Sequence, residues 1–125
     1  MIGGTAAGAG NRIAFNGEQG VFIGGGTGWR ILGNSIDSNT SLGISLSVGT
    51  PTPNDPGDGD TGANNLQNYP VLTGVSISAS KTMAAISGTL NNTANATFRV
   101  EFFANAGCDD SGNGEGRKFI GFARV

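Results

Sequence analysis

Asp55, Asp58 and Asp60 fall within one short loop, beside Asn54, Asn64 and Asn65, in a Pro- and Gly-rich stretch from Thr50 to Pro70 that is nearly free of apolar side chains before Leu66. Hard oxygen donors gathered this way suit Ca²⁺, which takes roughly six to eight of them. Asp55, Asp58, Asp60 and Asn64 are the candidate ligands. The spacing departs from an EF-hand loop, which needs Asp-x-Asp/Asn-x-Asp/Asn-Gly and a later Glu. The same side chains have a second use, because Asx oxygens bond nearby backbone N–H groups and hold turns. Both readings stand on sequence.

The rest of the chemical inventory is mostly exclusions. The chain has no His, which removes the usual neutral-pH base, Ser-His-Asp and Cys-His nucleophile systems, and His-bound zinc or iron. Cys108 stands alone, so there is no intrachain disulfide and no cysteine metal site. Its neighbours Asp109 and Asp110 disfavour a thiolate, and Cys108 reads as a structural or incidental thiol. With Glu115, these acids crowd the long Asn105-to-Gly116 loop, read as either a functional loop or a charged, mobile hairpin end. The run Gly24-Gly25-Gly26-Thr27-Gly28 lacks the Gly-Lys-Ser/Thr ending of a phosphate loop and precedes no helix. A net charge of −2 with no basic patch argues against nucleic acid, and no apolar run is long enough to cross a bilayer. Trp29 and Tyr69 remain as aromatic platforms on which a sugar could stack.

The elements that must carry these residues are short strands. Gly supplies 23 of 125 residues, more than twice the usual share of roughly 7%, and stands among Asn, Thr and Ser as turn chemistry. No stretch keeps a helical apolar period. The class is all-β. From Asn11 to Leu46 the chain repeats itself at an offset of 23 residues: Asn11 returns as Asn34, Ile13 as Ile36, Asn16 as Asn39, Gly20 as Gly43, Val21 as Ile44, Ile23 as Leu46. A fixed period of this size predicts a solenoid, with Ile13 over Ile36 and Val21 over Ile44 inside, and Asn over Asn at a corner, where amides can bond along the stack. Ile2-Gly3-Gly4 is echoed by Ile23-Gly24-Gly25, and Trp29 to Leu32 takes the place of Ala6 to Ala9. Asp37 aligns with Ala14, so no carboxylate row forms, and Asp37 reads as a solvated corner. Beyond Pro70 the period shifts to strict alternation, predicting strands over 71–77, 83–90, 97–104 and 117–125 that form an antiparallel sheet of sandwich type.

The segments Ile2-Gly3-Gly4-Thr5, Gly10-Asn11-Arg12-Ile13, Gly20-Val21 and Gly33-Asn34-Ser35-Ile36 resemble the right-handed parallel β-helix repeats of bacterial surface and secreted proteins. The acidic run from Pro53 to Pro70 resembles the connector that closes such helices. Gly88 to Asn91, Phe98 to Phe103 and Gly114 to Gly116 are similar to the module that follows them. The resemblance implies a short right-handed parallel β-helix of about two coils over 1–50, a connector over 51–70 and an incomplete sandwich-like sheet over 71–125, in an extracellular or cell-surface setting. Met1 precedes what already looks like mid-coil, so the chain reads as a piece of a longer architecture or a free-standing descendant of one. The expected role is a non-catalytic structural or interaction module. A carbohydrate-binding module is the alternative, and a remnant of a polysaccharide-active β-helix enzyme a further one. Two coils are fewer than stacks usually need, and neither end reads as capped. Four strands also leave one side of a sandwich open, so a homo-oligomer is expected, most simply a dimer.

Overall fold

A computed structural model describes residues 1–47, 50–107 and 112–125. Apolar runs only two or three residues long, cut by Gly and Asn, cannot build long ladders, and the first half of the chain forms six very short strands. They are β1 (Ile2–Gly3), β2 (Arg12–Ala14), β3 (Val21–Phe22), β4 (Ile31–Leu32), β5 (Ser35–Asp37) and β6 (Ile44–Ser45). Each of the first three pairs in parallel with one of the next three: β1 with β4, β2 with β5, β3 with β6. Ile13 lies opposite Ile36 and Val21 opposite Ile44, as the sequence offset requires.

The offset breaks down at the start of the chain. Ile2 pairs with Ile31 and Gly3 with Leu32, so the match to Ile23-Gly24-Gly25 is not the structural one. The cause is loop length: residues 4–11 link β1 to β2, whereas only residues 33 and 34 link β4 to β5. Trp29 consequently lies just ahead of β4, outside the paired residues. Between β2 and β3, and again after β5, the backbone turns through a left-handed residue, Phe15 and Ser38, both at φ 59°. Left-handed backbone costs a non-glycine residue about 1–2 kcal/mol, and here it recurs at the repeat offset, just ahead of Asn16 and Asn39. Gly20 is required for a different reason: a Cβ there would stand 2.7 Å from the Gly43 carbonyl oxygen and 2.8 Å from Ile36 Cγ2.

The core is small. Val21, Ile23, Ile36 and Ala63 are buried, with Ile2, Ile13, Ile31 and Leu46 packed against them. Ala63 comes from the acidic connector, which tucks a short turn (Ala63–Leu66) beneath the paired strands. Ile44 does not share the interior with Val21. It stays 45% exposed at the rim of the second run, while its neighbour Ser45 is buried.

The second half is two antiparallel hairpins: β7 (Val71–Ile77) with β8 (Ala84–Thr89), and β9 (Arg99–Ala104) with β10 (Lys118–Arg124). The expected strands are present, but among the described residues the hairpins do not join into one four-stranded sheet. Each has a register shift, between Leu72 and Gly74 and between Phe119 and Gly121. An extra residue in one strand bends the ribbon and increases its twist locally. The second hairpin is cross-braced by Phe103 edge-on to Phe119, ring centres 5.7 Å apart, and by Arg99 lying 3.6 Å over the Phe122 ring.

Candidate functional site

In the acidic connector the side chains of Asn54, Asp55, Asp58 and Asn68 bond backbone groups. The Gly59 N–H donates to Asp55 Oδ2 at 2.9 Å, and the Asn68 N–H to Asp58 Oδ1 at 2.6 Å. Asn68, almost fully buried, is the hub: its Oδ1 accepts from the Asp55 N–H while its Nδ2 donates to the carbonyls of Asp55 and Asn91. Asn54 and Tyr69 clasp each other through two further bonds, Nδ2 to carbonyl and N–H to Oδ1. This is the turn chemistry open to Asx residues, and Asn68 is the member of the network that sequence reasoning missed. No periodicity marks it, and its partners lie in two segments, Asp55 and Asp58 in the connector and Asn91 beyond β8.

Two oxygens of the loop remain buried without a partner, Asp55 Oδ1 and Asp60 Oδ1. Burial pushes the Asp60 carboxyl above its ordinary value, and the charges of Asp55 and Asp58 push it the same way. The described residues hold no group of three or more acidic, His or Cys side chains placed to grip a metal ion. Asn64, the fourth candidate ligand, faces elsewhere: its Oδ1 accepts the Trp29 N–H at 2.9 Å and its Nδ2 donates to the Trp29 carbonyl at 3.4 Å. For Asp55, Asp58 and Asp60 to hold Ca²⁺, the loop would have to draw their free oxygens together.

Asn64 instead builds the wall of a cleft. Asn64, Asn65 and Leu66 are consecutive left-handed residues, at φ 50°, 56° and 50°, a conformation Asn tolerates better than most residues. The turn presents the Asn64 amide to the Trp29 backbone. The Trp29 indole is fixed a second time by its Nε1 donating to the Gly25 carbonyl at 3.0 Å. An open cleft of about 290 Å³ results, with Trp29, Arg30, Asp58, Gln67, Asn92 and Phe98 among its lining. Tyr69, the other aromatic singled out from sequence, is half-exposed and does not line it.

The repeated Asn residues form the expected corner ladders. The Asn11 N–H and Nδ2 both donate to Asn34 Oδ1, and Asn34 Nδ2 donates to the Ile2 carbonyl. The Asn16 N–H and Nδ2 likewise donate to Asn39 Oδ1, at 3.2 and 2.7 Å. A carboxylate continues the second ladder, and another binds the backbone beside the first. Glu115 Oε1 accepts from Asn39 N–H and Nδ2, at 3.2 and 2.8 Å, and Glu101 Oε2 accepts the Gly33 N–H at 2.8 Å. Between them the Ile36 N–H donates to the Gly116 carbonyl and Ser35 Oγ to that of Arg117. The second run is therefore capped, by the β9–β10 hairpin and the approach to β10, contrary to the expectation of an open end. Glu115 is a structural cap and no part of a mobile loop end. Cys108, Asp109 and Asp110 lie outside the described residues.

The same contact overturns the reading of Asp37 as a solvated corner. Its side chain is 8% exposed, because Arg12 and Arg117 close over it at 3.5 and 3.9 Å. Ser38 Oγ donates to its Oδ2, while its Oδ1 has no partner. No helix among the described residues is long and apolar enough to cross a membrane. No family model matches the chain, and no curated protein or solved structure does either.

Proposed function

We propose that this chain is a non-catalytic structural and interaction module of the surface-protein type: about two coils of a right-handed parallel β-helix, a connector, and a hairpin that closes the last coil. The observation that supports this reading is the substitution of Glu115, Gly116 and Arg117 for a further coil. They meet the outward N–H groups of Ile36 and Asn39 and the Ser35 hydroxyl where the next rung would stand, and end the Asn16–Asn39 ladder on a carboxylate. A closed end leaves a stack only one edge for growth. On the other side β1, β2 and β3 each keep an unpaired edge among the described residues, where further coils or another chain can add.

The charged residues fit this role. Asp37, Glu101 and Glu115 are spent on arginines or on amides of the paired strands, which leaves none of these three free for the paired-carboxylate chemistry of a glycosidase. Native-state hydrogen exchange tests the closure. The amides of Gly33, Ile36 and Asn39 should exchange in one cooperative step with those of β9 and β10. Independent exchange of the hairpin would remove the closing role, and release of reducing ends from a polysaccharide panel would overturn the non-catalytic reading.

A further inference from the structure

The Trp29 cleft has no part in closing the stack, yet its polar groups are arranged for a ligand. The indole is half-exposed; one hydrogen bond, from Nε1 to the Gly25 carbonyl, orients the ring, and two more tie the Trp29 backbone to Asn64. A large apolar ring left half in water beside a left-handed turn that grips its backbone is costly to keep, and strained backbone of this kind concentrates at binding sites. Around the ring stand groups with bonding capacity to spare. Asp58 uses only Oδ1, on the Asn68 N–H. Asn92 Nδ2 is buried at the cleft without a partner, although its Oδ1 accepts the Thr93 N–H. Such an unmet donor calls for an explanation. The side chains of Arg30 and Gln67 make no hydrogen bond or ion pair among the described residues.

We infer that this cleft binds a neutral saccharide, one sugar unit stacked on the Trp29 indole with its hydroxyls bonded by Asp58, Arg30, Gln67 and Asn92. The chemistry selects the class. One face of a pyranose ring is a row of C–H groups that lies on an aromatic face, while its rim of hydroxyls both donates and accepts. The lining supplies a carboxylate acceptor, a guanidinium donor and amides that do both. One cation and one anion leave the lining without a net preference for charge. The cleft, at about 290 Å³, sits at the small end of ligand pockets, roughly 300–1,000 Å³, which suits a single unit or a chain end. The inference does not depend on the stack reading, since it uses only the residues 25–30, 58–67 and 92–98.

Trp29 is the only tryptophan, so its emission and its indole N–H resonance report on this cleft alone. The full chain is titrated with cellobiose, lactose, mannobiose and chitobiose up to about 10 mM, enough to fill a site of about 1 mM dissociation constant. At least one should move both signals saturably, while adenosine and choline, which would test plain stacking and cation binding, should not. Arg30→Ala should weaken that sugar about tenfold, the worth of one hydrogen bond to a charged group, with an unchanged melting curve. Trp29→Ala, which removes the reporter and is therefore followed by titration calorimetry, should abolish binding. Unmoved indole resonance with all four sugars would overturn the proposal, as would an equal response to adenosine or choline, or full affinity in Arg30→Ala.

Discussion

Asp60 is the residue whose surroundings are least reconciled. It has a buried oxygen without a donor, and burial and then the charges of Asp55 and Asp58 raise its pKa above the ordinary 3.8, against a partly opposing bond from its own backbone N–H. The folded chain thus holds this proton more tightly than the unfolded chain does. Stability linked to Asp60 is present at low pH and is lost as pH rises from the unfolded value through the folded one. At pH 7 its ionised carboxylate opposes folding. Asp60→Asn should therefore melt above the parent at pH 7, and the two melting curves should converge near pH 4 and below. A variant that melts lower at neutral pH would mean that Asp60 meets a countercharge. Ca²⁺ is the candidate: chelator would then lower the parent's melting temperature and leave Asp60→Asn unaffected. Turn chemistry alone predicts curves indifferent to chelator. The types and closeness of these acids were legible in sequence, but their division of labour was not. Asp55 and Asp58 serve turns while Asn64 turns away to Trp29, and that choice depends on Asn68 and Asn91, which no local spacing links to them.

At the scale of elements, one hairpin docks on one edge of three parallel pairs. Glu115 carries most of the corner contact, accepting both donors of Asn39, which is itself buried and supports Asn16. Glu115→Ala leaves the Asn39 N–H unmet and Nδ2 with only its 3.4 Å bond to the Ile13 carbonyl, and should cost about 1–3 kcal/mol in urea unfolding, the worth of a buried orphan donor. Glu115→Gln keeps an acceptor oxygen in place and should lose distinctly less. Equal losses would show that charge, not acceptance, matters there, and no loss would detach the hairpin from the stack. The runs themselves were legible because Ile13 with Ile36 and Asn16 with Asn39 carry a repeated period that stacking must respect. The shifted pairing of Ile2 with Ile31 was not, since an inserted loop erases the period without leaving a hydrophobic signal. Glu101 and Glu115 were equally hidden. A carboxylate that replaces a stacked Asn sits far away in sequence, inside an unrelated alternation, and only the folded chain brings it to the ladder. The left-handed corners escaped notice as well, because Phe15 and Ser38 occupy positions where Gly or Asn would have advertised the bend.

For the whole molecule the unresolved energetic question is the β7–β8 hairpin. An isolated two-stranded ribbon is marginal in water, and this one neither extends the other hairpin nor contributes to the core. Its apolar side chains are bare: Leu72, Val75, Ile77 and Met83 are 58%, 60%, 67% and 74% exposed. Phe119, Ile120 and Phe122 on β10 are about half-exposed. Single exposed apolar residues are ordinary, but a run along one ribbon marks a contact surface. Each square ångström of it removed from water returns about 25 cal/mol. With both outer edges of the β7–β8 ribbon unpaired among the described residues, a second copy can meet both needs by pairing β7 or β8 with its own equivalent about a two-fold axis. Light scattering at low micromolar concentration should therefore give twice the 12.5 kDa chain mass. Val75→Lys should return it to the single-chain value, because a like charge then sits on both sides of the axis. A parent mass near 12.5 kDa with a cooperative melt would overturn the dimer, and would leave the ribbon held by its own turn and bulge alone.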